Sequence, residues 1–412
     1  MNKQIKATAL FTAILLLSAC SSGYNHTSEN DTSYSETTVT EETEKTPETP
    51  EEFHAAMVSR SLYSLGNTAR LKAKMNEAKA GEKTVIAYIG GSITEGLTAG
   101  DADCYARLSY EYFRDAYSTG DNVEYVNAGI SGTPSNLGVL RLERDVLSHD
   151  ADIVFVEFAV NDGQDKLAQE SYESLVKTVL SQENQPAVVL LMNVIESGYT
   201  AQAHMKQIGE KYSLPIISAA DALTEEFNSG RMTWDDYSDD QSHPNKDGHK
   251  LLCEFIENMY HAAESANDGE YAIPEAEMFG APYMNVQMIT PESTDSDIIT
   301  LEAVPETDNC TSGGFGECWR LDAGGSMTMK AEAASFFVIF RRNKTDDMGA
   351  FDVYVNGAKL KTVDTRQADG WGEAFSQQII KFQSAKEMDI EIRPSEGSEG
   401  KKIEILGIAA AK

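Results

Sequence analysis

Positive charge is what this sequence has little of. Against 66 Asp and Glu stand 34 Lys and Arg in 412 residues, a formal net charge of -32. Phosphate backbones are held by clustered Lys and Arg, and no basic stripe occurs, so nucleic acid is excluded as a partner. The same excess repels acidic polymers and favours a neutral substrate. Neither a Gly-Lys-Ser/Thr phosphate loop nor a GxGxxG spacing is present. No Cys/His cluster has zinc-ligand spacing, and neither a metal nor another cofactor is implied. A hydrophobic content of 41% excludes disorder throughout, and the length allows one or two domains.

The first apolar run is too short to span a membrane. "MNKQIKATALFTAILLLSAC" places Lys3 and Lys6 before an apolar stretch from Ala7 to Leu17, whereas a spanning helix needs about 20 apolar residues. Residues 1–19 therefore read as an export signal. Its end, Leu17-Ser18-Ala19-Cys20, resembles a bacterial lipobox. That resemblance implies cleavage before Cys20, lipid on its sulfur, and a place on the outer face of a bacterial cell membrane. Residues 20–52 are Ser, Thr, Glu and Pro with almost no large aliphatics, which predicts a solvated acidic spacer.

From 53 to 264 short β-like runs alternate with helix-length amphipathic segments. The runs are Thr84 to Ile89, Val123 to Asn127, Asp152 to Ala159, Ala187 to Val194 and Leu214 to Ser218. Helical patterns at Tyr105 to Tyr117, Ser135 to Leu147 and Tyr172 to Leu180 lie between them, so the spacing predicts a three-layer α/β domain with a parallel sheet. Phe53 to Ala80 reads as a helix or helix pair, and 265–285 as a connector.

Residues 286–412 carry many short strand-like runs, among them Ser335 to Arg341, Ile379 to Phe382 and Met388 to Ile392. This pattern predicts a small all-β sandwich of jelly-roll type. Asn356-Gly357 is suited to a type I′ hairpin turn. Cys310 and Cys318 flank "TSGGFGE", a loop that a disulfide would close in an oxidising compartment. Cys104 and Cys253 sit in helical patterns and read as small buried hydrophobes.

Three strand ends carry glycine or polar signatures: Gly90-Gly91-Ser92, then "NAGISGTPS", then "VEFAVNDG"; "DDQSHPNKDGHK" follows before the last helix. Carboxyl ends of parallel strands converge where ligands bind. Each signature has an ordinary reading as well. Ser92-Ile93-Thr94-Glu95 fits a capping box, the glycine-rich block fits a turn, and Asn161 fits an Asx turn. His243 lies on an irregular segment beside acids, whereas His249 shares a helical face with Leu252, Cys253 and Ile256 and reads as core.

The four blocks in this order resemble the SGNH (GDSL-type) hydrolases, serine esterases named for four residues. The resemblance covers 53–264 and implies a flavodoxin-like three-layer domain. It matches Ser92 to the nucleophile, which also supplies an oxyanion amide, Gly132 and Asn161 to the other oxyanion donors, His243 to the base and Asp240 to its acid. Gly91 departs from the family's usual Gly-Asp-Ser, and relatives with glycine there are mostly surface enzymes acting on carbohydrate esters. The implied activity is removal of O-acyl, above all O-acetyl, groups from an extracellular polysaccharide. A polysaccharide O-acetyltransferase or a non-catalytic glycan-binding lipoprotein would share these blocks. Trp234 and Tyr237, just ahead of the histidine loop, are candidates to stack on sugar rings. The β-rich part is expected to brace the catalytic domain, with Trp371 in "DGWGEAF" as the alternative glycan contact.

Overall fold

Alternation along the central strands sets the architecture. In the computed structural model, which describes residues 46–267, 269–321 and 325–412, strand Thr84–Gly90 is buried at all seven positions. Val85, Ala87 and Ile89 enter one hydrophobic cluster, and Ile86 and Tyr88 enter another. Val154 and Val156 likewise face away from Ile153 and Phe155. A strand apolar on both faces needs helices on both sides, and that gives three layers.

In chain order the elements are α1 (Pro50–Ser61), β1 (Leu62–Ser64), α2 (Ala69–Lys79), β2 (Thr84–Gly90), α3 (Ser92–Glu95), α4 (Tyr105–Tyr117), β3 (Val123–Gly129) and α5 (Ser135–Asp145). Then come β4 (Ile153–Glu157), α6 (Lys166–Leu180), β5 (Ala187–Met192), α7 (Gln202–Lys211), β6 (Ile216–Ser218), α8 (Ala219–Ser229), α9 (Trp234–Tyr237) and α10 (Lys246–Ser265). The sheet order is β1-β6-β5-β4-β2-β3, with β2 to β6 parallel and β1 antiparallel at the edge. The five parallel strands follow the 2-1-3-4-5 order of doubly wound flavodoxin-like sheets, with a switch point beside the first of them. The expected helix pair at Phe53 to Ala80 is interrupted by β1, which the sequence pattern did not reveal. Helix α1 also takes Pro50 to Glu52 out of the expected spacer. Thr49 and Glu52 form a capping box there, and Pro50 occupies the first turn, where no amide partner is needed. The export signal, the Cys20 lipid site and residues 20–45 of the spacer lie outside the described residues. Among the described residues no helix is long and apolar enough to cross a membrane.

The named strands of the second part all pair antiparallel: β7 (Gln287–Ile289), β8 (Ile299–Ala303), β9 (Thr307–Ser312), β10 (Phe315–Arg320), β11 (Met327–Asn343), β12 (Ala350–Val355), β13 (Ala358–Asp364), β14 (Trp371–Pro394) and β15 (Glu404–Ala411). β11 and β14 are long bulged strands that pair along most of their length. The two runs expected at Ile379 to Phe382 and Met388 to Ile392 are therefore one strand. Asn356 and Gly357 both have positive φ, as the type I′ turn requires. The segment expected to be closed by a disulfide is instead the hairpin β9–β10. Main-chain bonds and the Gly313-Gly314 turn close it, while Cys310 and Cys318 remain buried thiols. Cys104 caps α4 rather than lying within it, and Cys253 is buried in α10.

Residues Pro47–Lys412 form one compact unit. Phe315, Phe337, Ala374 and Leu406 of the β region share a core with Leu137, Leu140 and Leu175 of α5 and α6. The connector is fixed from below. The buried Glu173 carboxylate accepts the amides of Met278, Phe279 and Gly280 at 2.6, 2.6 and 2.9 Å.

One buried cation ties the sheet edge that carries the polar signatures. Arg141 is fully buried and donates to Ala128 O at 2.7 Å, Gly90 O at 3.0 Å and Asp145 Oδ2 at 2.8 Å. Arg141→Met is expected to lower the unfolding free energy by about 3 kcal/mol, because the buried carbonyls of Gly90 and Ala128 each lose a donor, while Asp145 keeps its bonds from Arg144. Urea denaturation checks this.

Candidate active site

The loops after β2, β3 and β4 leave the sheet at one level because Gly90 lies opposite both Gly129 and Glu157. The nucleophile candidate sits at the first of these exits. Gly91 is the N-cap of α3 and Ser92 its first residue, and the Ser92 hydroxyl makes no capping bond. It lies instead 3.0 Å from His243 Nε2. Glu95, the other half of the expected capping box, accepts the Ser131 amide at 2.8 Å and the Ser131 hydroxyl, tying this turn to the glycine-rich loop. Helix α3 is one turn long and ends at Gly96 with φ 91°.

His243 is presented by a loop held at several points. Its Nδ1 is 2.7 Å from Asp240 Oδ2. Because a carboxylate only accepts, the proton sits on Nδ1, and Nε2 is free to accept from Ser92. Asp240 Oδ1 takes the amides of Ser242 and His243, both at 2.7 Å. Partial burial pushes the Asp240 carboxyl upward, but the bonds from His243 and the two amides outweigh it and hold the group below its usual value. The neighbouring Asp239 carboxylate accepts instead from Asn245. Ser238 Oγ lies against the carbonyls of Asp240 and His243, and Thr98 Oγ1 donates to Pro244 O at 2.7 Å.

Gly132 and Asn161 line the same cleft as Ser92 and His243, a space of about 520 Å³. Gly132 has φ 73°, a conformation that favours glycine. The Asn161 Oδ1 is buried without a partner against Gly91, which leaves its amide nitrogen as the donor. A Cβ at Gly91 would stand 2.2 Å from that oxygen. Leu97, Val160 and Ile195 supply apolar wall.

Two acids lie buried behind the cleft. Burial pushes Glu157 and Asp162 each up to about 7. Asp162 accepts the Ser135 amide at 2.6 Å, joining the asparagine loop to the start of α5.

The two aromatic candidates are not in the cleft. Tyr237 is fully buried with its hydroxyl 3.4 Å from Asn193 Oδ1, so it cannot stack on a ligand. Trp234 packs on Phe227 and Tyr237 and donates its indole N–H to Asp240 O. The exposed aromatic at the site is Trp371, contributed by β14 and 57% accessible. A Cβ on Gly132 would come within 3.0 Å of its ring. Its amide is held by Glu373, which pairs with Arg342, and the next carbonyl, of Gly372, accepts from Ser312 and Arg341. Gly313, in the turn of the β9–β10 hairpin, lines the same cleft. The β region therefore braces the α/β domain and also supplies a wall of its cleft.

Residues 88–251 match the model of the GDSL-like Lipase/Acylhydrolase family. A solved two-domain esterase active on acetylated mannans is similar to this chain at 27% identity and a TM-score of 0.77, over 86% of this chain and 98% of the esterase. A structure of such an esterase co-crystallized with mannopentaose gives 26% identity and a TM-score of 0.76 over the same shares. No curated protein matches the sequence.

Gly91→Ala is expected to lower kcat on p-nitrophenyl acetate about a hundredfold with little change in KM, because the new methyl displaces the Asn161 amide. Steady-state kinetics and a crystal structure of the variant check it.

Proposed function

We propose that this chain, a hydrolase whose residues 88–251 belong to the GDSL-like lipase/acylhydrolases, is an exported serine esterase that removes O-acetyl groups from a mannan-type polysaccharide. The observation that carries the reading is the line Ser92 Oγ to His243 Nε2 at 3.0 Å and His243 Nδ1 to Asp240 at 2.7 Å, open to a cleft roofed by Trp371.

A serine hydroxyl needs a base within hydrogen-bond reach to attack an ester. His243 Nε2 takes the proton as Ser92 Oγ bonds to the acetyl carbon, and Asp240 holds the ring in this tautomer and stabilises the imidazolium. Charge then develops on the carbonyl oxygen. The amides of Ser92 and Gly132 and the Asn161 side chain are the donors for it, each worth about 3 to 4 kcal/mol in comparable sites. His243 returns the proton to the departing sugar hydroxyl, leaving acetyl on Ser92. Water, activated by the same histidine, then releases acetate.

Similarity along 86% of the chain to an esterase active on acetylated mannans supports the substrate class. The acidic surface suits a neutral glycan, and Trp371 offers the flat apolar face that a sugar ring stacks on. The lipobox-like Leu17 to Cys20 supports anchoring at the outer face of the membrane.

Acetate release is expected from acetylated mannan ahead of acetylated xylan, pectin and peptidoglycan. Ser92→Ala should abolish it by more than about a thousandfold with the fold intact. Retained turnover in that variant, or no release from any of the four glycans, defeats the reading. Trp371→Ala is expected to lower kcat/KM on acetylated mannan about tenfold, the equivalent of one good stacking contact. Its hydrolysis of p-nitrophenyl acetate should change less than about twofold.

A further inference from the structure

Gly91 has no side chain with which to brace the turn that carries Ser92, and the turn is one helical turn ending in a glycine. Its support comes from the far side. Thr94, two residues after Ser92, folds its side chain back onto the last residue of β2, so closely that a Cβ on Gly90 would lie 2.1 Å from Thr94 Oγ1. Thr94 Oγ1 is 2.8 Å from the Tyr105 hydroxyl and 3.3 Å from Glu157 Oε2. Thr94 Oγ1 donates to Glu157 Oε2, and its one hydroxyl proton being used there, the Tyr105 hydroxyl donates to Thr94. All three residues are fully buried. Asn127 completes the seat by donating to Thr94 O at 2.9 Å.

Glu157 also reaches toward the histidine loop. Its Oε1 and the Asn193 Nδ2 are both buried without a hydrogen-bond partner, and the Asn193 side chain lies near enough to oppose the upward push of burial on the Glu157 carboxyl. Asn193 Oδ1 in turn lies 3.4 Å from the hydroxyl of Tyr237. Tyr237 closes the loop that bears Asp240 and His243, since its carbonyl accepts the Asn245 amide at 2.9 Å. The two halves of the Ser92–His243 pair come from segments 151 residues apart, and the buried row Thr94, Glu157, Asn193, Tyr237 runs beneath both.

We propose that Glu157 is a positioning residue for the reaction: its carboxyl fixes Thr94, and through Thr94 the nucleophile turn, against the histidine loop. It touches no substrate. The inference rests on Ser92 as the nucleophile, and it assigns a purpose to a buried acid at the end of a central strand that the proton-transfer line does not use.

The test compares Glu157→Ala, Glu157→Gln, Thr94→Val and the double variant Thr94→Val/Glu157→Ala with the wild type. Each is checked for folding by circular dichroism and titrated at Ser92 with a fluorophosphonate probe before kcat and KM are read on p-nitrophenyl acetate. Glu157→Ala and Thr94→Val should each lower kcat by about tenfold to a hundredfold per labelled site, the scale of a small misplacement of a reacting group, with KM within about twofold. Glu157→Gln should recover most of the loss, because its amide oxygen still accepts the Thr94 hydroxyl. The double variant should be no slower than the slower single, as expected of two residues acting through one contact. A folded Thr94→Val or Glu157→Ala with kcat within twofold of wild type overturns the proposal, and so does a multiplicative loss in the double variant. If Glu157→Ala does not fold, Thr94→Val and Glu157→Gln decide the question. Failure of the probe to label wild-type Ser92 would defeat the nucleophile reading instead, and the two failures are therefore distinguishable.

Discussion

The site depends on one register. Parallel pairing sets Gly90 of β2 beside Gly129 of β3 on one side and Glu157 of β4 on the other. Three chain segments therefore leave the sheet at the same height, and the serine, glycine and asparagine loops converge without any long excursion. Glycine at the strand ends is a consequence of that crowding. A Cβ on Gly129 would stand 2.2 Å from the Glu95 amide, and one on Gly90 would meet both Thr94 and the Glu157 carbonyl. Arg141 fastens the same edge by donating to the carbonyls of Gly90 and Ala128. A slip of one residue in this register would exchange the two hydrophobic faces of β2 and dismantle the site together with the core.

The β region completes the cleft by a different route. Its docking is apolar, through Phe315, Phe337, Ala374 and Leu406 against α5 and α6, with an ion pair from Glu170 to Lys381 beside it. Nondirectional burial of this kind fixes the position of a domain, while directional bonds are needed to aim a side chain. Glu373 and Ser312 supply these at Trp371 and Gly372. The aromatic wall is thus held by the β region's own hydrogen bonds and delivered to Ser92 by hydrophobic docking.

Legibility in the sequence followed how local each constraint is. The five parallel strands and helix α4 were readable because period and apolar run length are local properties. β1 escaped because three residues pairing with β6 leave no period to detect. The expected break between Phe382 and Met388 was polar sequence, yet pairing with β11 carries β14 through it. Cys310 and Cys318 suggested a closed loop, whereas the chain between them makes its own hairpin. Tyr237 looked like a ligand contact by its nearness to His243 in sequence, but its side chain points inward under that loop. Trp371 is the converse case: nothing in "DGWGEAF" links it to Ser92, and the link exists only because a second region docks on the first.

By itself the sequence determined the layered fold and the order of the polar blocks, and it singled out Ser92, Gly132, Asn161 and His243 as candidates. Each block alone fits a cap or a turn, and it is their order along the chain that sets them apart. Which of two adjacent acids faces the imidazole, which aromatic faces the cleft, and what braces a nucleophile turn headed by Gly91 were decided only in the folded chain. Each of these is a distance between side chains whose separation along the sequence carries no information about their separation in space.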